Sequence, residues 1–192
     1  SYIIFFSDHG DMLGSHGQWE KSAPWEESIR IPFIISHVQG SAALPCDPTD
    51  AVINHVDIAP TSLGLCGIEV PDWMEGYDYS ASCRHAEDGW STPPPSPDEP
   101  DSAYLQQIPR KFHPLCPNKA WRGVAMRDGW KYVCTPGNDW LLYNTKEDEF
   151  ELGNFVHNTK FQDIRARCWD ALKDWIDKTA DDFELPERDL PR

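Results

Sequence analysis

The chain begins with short apolar runs that alternate with polar loops. Tyr2–Phe6 is β-branched and aromatic and carries no charge, which predicts a fully buried strand. Ile31–Ser36 predicts a second strand, and between the two lie a glycine-punctuated loop, Ser7–Lys21, and a helical turn, Pro24–Ile29. Strands that are joined in this way are typical of an α/β sheet, whose working loops lie at one end of its strands.

Helical and hairpin patterns follow further along the chain. Asp57 is suited to cap a helix over Ile58–Leu65, with Gly67 as its stop. Asp128-Gly129 predicts a two-residue hairpin turn between Gly123–Arg127 and Trp130–Thr135, and Trp140–Tyr143 predicts a third antiparallel strand. An amphipathic helix is predicted over about 160–178 by the apolar stripe Phe161, Ile164, Cys168, Leu172, Trp175 and Ile176.

These elements predict an α/β fold class with four parts. Residues 1–85 are expected to be the C-terminal part of a larger α/β sheet domain. Residues 86–110 are rich in proline and acidic residues, a composition that predicts an exposed loop or insertion. Residues 111–180 are expected to form a small antiparallel-sheet subdomain with a C-terminal helix, and residues 181–192 a loose tail. Because Ser1 directly precedes a strand, we expect the chain to be a fragment.

Composition and charge exclude several classes of protein. With 17 Lys and Arg against 32 Asp and Glu, the net charge of −15 argues against a nonspecific nucleic-acid binder. No apolar run approaches the roughly 18 residues of a membrane span. The six cysteines include no C-x-x-C pair, which excludes a zinc ribbon and a thioredoxin motif. Cys66 and Cys134 lie in apolar runs and are predicted to be small core residues, and the redox compartment stays open.

The candidate chemistry lies directly after the first strand. Asp8 and His9 offer a carboxylate and an imidazole that are able to bind a divalent cation, although two ligands do not complete a site. Gly10 allows the backbone to turn sharply, and Lys21 offers an ammonium group for an oxyanion beside the metal. By spacing alone, the same residues also fit a capped turn with a hydrogen-bonded histidine.

Neighbouring residues of this segment also allow structural interpretations in place of a role in catalysis. His16 either touches the substrate or forms a hydrogen bond within the loop, and Asp11 is expected to be a solvated or turn-capping acid. Glu26 and Arg30 are spaced i, i+4, which predicts an ion pair that fixes the helical turn.

A longer pattern surrounds these residues at fixed offsets. Its members are Ser7, Asp8, His9, Gly10, Leu13, Gly14, His16, Gly17 and Lys21, then Trp25, Glu26, Arg30, Ile31 and Pro32. The segment resembles the second signature of the sulfatase family, within the alkaline phosphatase superfamily. Val56–Thr61, Arg127–Tyr132 and Leu142–Asn154 resemble later segments of the same family. The resemblance spans about 2–178, apart from the proline-rich region and its neighbours, and implies that the larger sheet domain is alkaline-phosphatase-like.

The resemblance implies a sulfuric ester hydrolase that acts on sulfated carbohydrate or aryl compounds. It implies Asp8 and His9 as ligands of a divalent cation, usually Ca²⁺, and Lys21 as a catalytic residue that binds the substrate sulfate. The family's nucleophile is a formylglycine made in a Cys/Ser-x-Pro/Ala-x-Arg motif, and none of the six cysteines stands in that pattern. The paired aspartates that complete the family's metal site are absent too, so we expect this chain alone to be inactive.

Two alternatives remain open at this stage. A phosphonate monoester or phosphodiester hydrolase of the same superfamily has a very similar second signature, and it would use Mn²⁺ or Zn²⁺. A non-catalytic, truncated homologue is the other. The expected partner is a small-molecule or carbohydrate sulfate ester, without nucleic acid or a membrane span. The oligomeric state and the compartment stay open, although the family is often exported.

Two further features bear on substrate choice. A basic stretch comprises Arg110, Lys111, His113, Lys119 and Arg122. It is either a contact for an anionic substrate or a solvated loop that balances nearby acids. Trp19 and Trp25 flank Lys21 and form either a sugar-binding platform or part of the core.

Overall fold

The computed structural model describes residues 1–39, 42–43, 49–84, 95–108 and 119–188. They group into two compact units, Ser1–Asp8 with Ile31–Asp101 and His9–Arg30 with Ser102–Arg192. Each unit contains its own β-sheet, and helices accompany both sheets. The predicted α/β fold class is therefore confirmed.

The helices and strands have the following limits. The strands are β1 Tyr2–Phe6, β2 Phe33–Gln39, β3 Ala42–Ala43, β4 Ser102–Gln107, β5 Trp121–Met126, β6 Trp130–Thr135 and β7 Asn138–Asn144. The helices are α1 Glu26–Ile29, α2 Ile58–Leu65, α3 Ser80–Arg84 and α4 Gln162–Thr179. Both predicted N-terminal strands, the 58–65 helix and the C-terminal helix are confirmed.

The first unit has a three-stranded sheet in the order β1-β2-β3. β1 and β2 are antiparallel, with Phe5 opposite Ile34. Ile3, Phe5 and Ile34 are 57%, 59% and 56% exposed, so the prediction of a fully buried β1 is wrong. Side chains alternate between the two faces of a strand, and the described residues leave the face that carries these three uncovered.

The start of α2 differs from the predicted capping arrangement. Asp57 makes no side-chain cap to α2. Its carboxylate accepts hydrogen bonds from the backbone N–H of Asn54 and of Tyr77, both at 2.7 Å. Asn54 caps a 3-10 turn over His55–Asp57 in a reciprocal capping box. Gly67 ends the helix as predicted, with a left-handed φ of 71°.

The cysteines divide into exposed and buried thiols. Cys66 is exposed, which contradicts its prediction as a core residue, because it is the C-cap residue that follows the end of α2 at Leu65. Cys134 is buried as predicted, and so is Cys168 on α4. Burial raises the pKa of both buried thiols to about 12, so they are protonated at neutral pH. Cys46 and Cys116 lie outside the described residues.

The second unit is built on an antiparallel meander in the order β4-β5-β6-β7. The predicted hairpin between β5 and β6 is confirmed, although its loop has three residues, Arg127–Gly129, rather than two. Gly129 has a φ of 98°, which favours glycine. β4 was not predicted: Ser102–Gln107 was assigned to the loop 86–110, and it pairs instead along the whole of β5.

Both faces of this sheet are covered. Even-numbered strand residues, among them Tyr132 and Leu142, pack against Cys168, Leu172 and Ile176 of α4. The opposite face carries Trp121, Val133, Leu141 and Tyr143, which pack against Met12, Ala23 and Trp25. The predicted domain boundaries at residues 85 and 110 remain a prediction. In the structure, however, the segment 9–30 packs on the small sheet.

Residues 181–188 contradict the expectation of a loose tail. Phe183 and Leu185 pack against the core that α4 forms with the sheet. Asp181 accepts hydrogen bonds from Arg122, at 2.7 Å to Nε and 3.2 Å to Nη2, and from the Tyr104 hydroxyl at 2.7 Å. Arg122, assigned to the basic stretch, is thus held in an ion pair, whereas Arg110, Lys111 and His113 lie outside the described residues.

The Asp181 ion pair predicts a pH-dependent contribution to stability. Hydrogen bonds from Arg122 hold the pKa of the Asp181 carboxyl below its usual value. A carboxyl with a lowered folded-state pKa stabilises the fold above the unfolded-state pKa of about 3.9, and this contribution is lost as the pH falls through the folded-state value. Asp181→Asn should therefore lower stability by about 2 kcal/mol at pH 7.

Thermal unfolding between about pH 2 and pH 7 measures this effect. The difference between Asp181→Asn and the unmodified protein should shrink towards the acid end, because both then lack the carboxylate. Asp182→Asn is the matched control, since Asp182 is the exposed neighbour. A constant difference across the pH range would contradict the assignment.

Candidate functional site

The two candidate metal ligands directly follow β1. Asp8 is exposed, and the Ser7 hydroxyl lies 3.5 Å from its Oδ1. His55 Nε2 lies 3.2 Å from the Ser7 carbonyl oxygen, which secures the residue before Asp8. His9 is half-buried, and its Nδ1 lies 2.7 Å from the Gly10 carbonyl oxygen. Because a carbonyl only accepts hydrogen bonds, Nδ1 carries a proton in this contact, so that in the neutral imidazole the lone pair is on Nε2.

The loop after His9 folds back on itself. The N–H of Met12 donates to the Glu20 carbonyl at 2.7 Å, and that of Gly14 donates to the Gln18 carbonyl at 2.9 Å. The first of these contacts places Glu20, the residue before the exposed Lys21, opposite Met12, which lies three residues after His9. Met12 is 1% exposed and anchors the loop in the core. The fold of the loop therefore returns the Lys21 backbone towards the residue that carries the candidate imidazole.

Left-handed backbone conformations concentrate in this loop. Leu13, His16, Glu20 and Ser22 have φ values of 46°, 52°, 64° and 76°. Such values cost non-glycine residues about 1–2 kcal/mol each and persist where surrounding contacts hold them. The last two flank Lys21, and the Trp121 indole N–H donates to the Ser22 carbonyl at 3.1 Å. The backbone at Lys21 is thus fixed from both sides.

The neighbouring candidates take structural roles. His16 Nε2 lies 3.1 Å from the Phe150 carbonyl oxygen, and its ring stacks on Trp25 with centroids 4.8 Å apart. Trp25 is 9% exposed and belongs to the core, whereas Trp19 is 54% exposed. Asp11 caps the loop as predicted, because its carboxylate accepts from the Leu13 N–H at 3.0 Å.

A buried charged cluster lies on the face of the sheet that carries this loop. Lys131 of β6 is 1% exposed at its side chain and lies 2.5 Å from Glu151 Oε1 and 2.8 Å from Glu26 Oε1. The structure thereby pairs Glu26 with Lys131, not with Arg30 as predicted. Burial raises the pKa of the Glu151 carboxyl above its usual value, and the Lys131 ammonium opposes that shift. Lys131 and Glu151 were not predicted to be site residues, because no sequence pattern indicates that their side chains are buried.

Within the described ranges, no three His, Cys, Asp or Glu side chains come together in a way that could hold a metal ion. A metal site at Asp8 and His9 would therefore need further ligands. None of the helices in the described part of the chain is long and apolar enough to cross a bilayer.

Comparison with known proteins decides the family. The sulfatase family model matches residues 1–68. The N-acetylglucosamine-6-O-sulfatase of Bacteroides thetaiotaomicron is 39% identical over 189 residues, which cover 95% of this chain and 32% of that protein. The chain belongs to the sulfatase family. The choline-sulfatase of Rhizobium meliloti is 32% identical, over 88% of this chain and 31% of its own length.

Solved structures show the same fold. A 2-O GAG sulfatase superposes with a TM-score of 0.74 at 24% identity, over 94% of this chain and 37% of that one. The phosphonate monoester hydrolase of Agrobacterium radiobacter superposes with a TM-score of 0.66 at 22% identity, over 92% and 35%. The chain spans about a third of the length of the curated sulfatases it matches. Sulfatases generally depend on a divalent metal ion.

Proposed function

We propose that the protein to which this chain belongs hydrolyses sulfate esters, and that Asp8, His9 and Lys21 serve this reaction. The observation that carries the proposal is the loop 9–30. It joins a tautomer-fixed imidazole, directly after a carboxylate, to an ammonium group on a backbone that folds back towards it. Membership of the sulfatase family supports the same conclusion.

The donor set fits two of the ligands of a divalent cation. Asp8 would supply a carboxylate oxygen, and His9 would supply Nε2, because its Nδ1 proton is held by the Gly10 carbonyl. Ca²⁺ is the ion expected from the resemblance, although the Asp8 carboxylate also suits Mn²⁺ and the His9 imidazole suits Zn²⁺. When bound, such an ion supplies positive charge that stabilises anionic oxygens.

Lys21 would bind the sulfate group and stabilise the leaving oxygen. Cleavage of a sulfate ester concentrates negative charge on the bridging oxygen, and a fixed ammonium group lowers the energy of that charge. The left-handed conformations on either side of Lys21 persist because hydrogen bonds to the Glu20 and Ser22 carbonyls hold the backbone there. Preorganisation of this kind is needed for the charge to act in the transition state without further rearrangement.

We propose a sulfated carbohydrate as the substrate class. The supporting observation is the relative with the highest identity among those named above, an N-acetylglucosamine-6-O-sulfatase. The alternative of phosphonate or phosphodiester hydrolysis has the similar second signature and a likeness of fold at 22% identity behind it, whereas the relatives named above that are more than 30% identical are sulfatases. No residue described here favours it.

Substrate profiling of the full-length protein tests the proposal. Sulfate release from 6-O-sulfated N-acetylglucosamine and from 4-nitrophenyl sulfate should exceed turnover of matched phosphodiester and phosphonate esters. A chelator should abolish it, and added metal should restore it. Preferred turnover of the phosphorus esters would transfer the assignment to the alternative, and no turnover of either class would contradict both.

Trp121→Phe should lower kcat for sulfate ester hydrolysis about fivefold, with a smaller change in KM. The phenyl ring keeps most of the packing but loses the N–H that holds the Ser22 carbonyl, a hydrogen bond of about 1 kcal/mol. Trp175→Phe is the matched control, because the Trp175 indole donates to Ser102 Oγ on the α4 side of the sheet. Equal losses of kcat in both variants would point to general destabilisation instead.

A further inference from the structure

The buried charged cluster joins three segments that are far apart in the sequence. Lys131 comes from β6, Glu151 from the loop after β7, and Glu26 from the first residue of α1. Glu151 is fully buried at its side chain, and its Oε2 accepts the backbone N–H of Glu26 at 2.7 Å. Burying two carboxylates and one ammonium group costs desolvation free energy, and apolar residues of similar volume would fill the same space without that cost.

The position of α1 links this cluster to the candidate metal ligand. Ser28, two residues after Glu26 in the same helical turn, accepts the Gly10 N–H through its carbonyl at 2.8 Å. Gly10 in turn offers its own carbonyl to His9 Nδ1. A chain of hydrogen bonds therefore runs from the Lys131–Glu151 pair through α1 to the imidazole of His9.

We propose that Lys131 and Glu151 are positioning residues that hold the imidazole of His9 for metal binding through α1. Glu151 fixes the first N–H of the helical turn, and the Lys131 ammonium group, 2.5 Å from Glu151 Oε1, holds the Glu151 side chain in place. The loop that carries Glu151 is itself held to β7, because Asn154 accepts from the Leu142 N–H and donates to the Trp140 carbonyl. This inference rests on the proposed role of His9.

Two double variants separate positioning from simple structural support. Lys131→Met with Glu151→Gln removes both charges and keeps a carbonyl acceptor for the Glu26 N–H. Lys131→Met with Glu151→Met removes the charges and the acceptor. Neither variant leaves Lys131 or Glu151 as an uncompensated buried charge, which is the change that destabilises buried ion pairs most. Both variants leave Glu26 without Lys131, but the Glu26 side chain is 19% exposed and this change is common to the two variants. Both doubles should therefore fold, and their melting temperatures report this directly.

The measurement is the metal dissociation constant of the full-length protein, determined by calorimetry. The Met/Met variant should bind the metal about tenfold more weakly or worse, the usual effect of losing a partner behind a metal ligand, and the Met/Gln variant should stay near the unmodified value. In the metal-free protein, the Gly10 amide should exchange with solvent faster in Met/Met alone. Arg165→Met with Asp139→Asn, a comparable pair that also lies in the second unit, should leave both readouts unchanged.

Two results would overturn the inference. One is wild-type metal affinity and Gly10 amide protection in Met/Met, and the other is equal weakening in Met/Met and Met/Gln. His9→Ala separates this failure from failure of the proposed function. Unchanged metal affinity in His9→Ala would reject the site, while the amide exchange of Gly10 would still report on the link through α1.

Discussion

Lys21→Ala is expected to reduce kcat/KM for sulfate ester hydrolysis by about 10²–10³-fold, the usual effect of removing one preorganised donor to a developing oxyanion. The loss of kcat/KM in Lys21→Ala should be larger for substrates with a poorer leaving group. A sugar alkoxide carries more charge in the transition state than 4-nitrophenolate, so it depends more on the ammonium group. Comparing a 6-O-sulfated sugar with 4-nitrophenyl sulfate in the full-length protein measures both effects.

Two other variants make this result specific to Lys21. Lys160→Ala removes an equally exposed ammonium from the turn before α4 and should leave turnover unchanged. Lys21→Arg keeps the charge but changes its shape and reach, so a partial loss is expected. The role proposed for Lys21 would be wrong if Lys21→Ala and Lys160→Ala had the same turnover.

Gly10→Ala is expected to cost about 3 kcal/mol of stability and to weaken metal binding, because the new methyl group meets backbone. A Cβ at this position would lie 2.0 Å from the Glu27 carbonyl oxygen, which has no side-chain torsion to move it away. Either α1 or the His9–Gly10 backbone must shift, and the hydrogen bond between the Gly10 N–H and the Ser28 carbonyl breaks. Thermal unfolding and metal titration measure the two consequences.

Gly17→Ala is the matched control for this substitution. Gly17 lies in the same loop and has a φ of 68°, but a Cβ there meets nothing within 4 Å. It should cost only the 1–2 kcal/mol of a left-handed alanine and leave metal affinity unchanged. If Gly17→Ala weakened the metal as much as Gly10→Ala, general loosening of the loop would explain both, rather than the contact with α1.

Local patterns predicted the elements that depend on local chemistry. The period of apolar residues over 160–178 gave α4 nearly to its limits, and Asp128-Gly129 gave the hairpin between β5 and β6. Gly10 was expected for its conformational freedom. Its φ is not left-handed, however, and the structure requires glycine there for the close approach of Glu27.

The contacts between residues far apart in the sequence could not be predicted from local patterns. Lysine is rarely buried, and the two acids that pair with Lys131 lie on other segments, one of them 105 residues away. An apolar run likewise identifies β1 as a strand, but it does not say which faces are covered. The proposed roles of Asp8, His9 and Lys21 came from the resemblance and remain predictions.

The face of β1 and β2 that the described residues leave uncovered has a consequence for handling this chain in solution. Ile3, Phe5 and Ile34 form an exposed apolar strip on a polypeptide whose net charge is −15. Mutual repulsion keeps such molecules apart at low ionic strength, whereas about 0.1 M salt shortens its range to roughly 10 Å. Because this repulsion opposes association through the apolar residues, the separately produced chain should be concentrated in a buffer of low ionic strength rather than in saline.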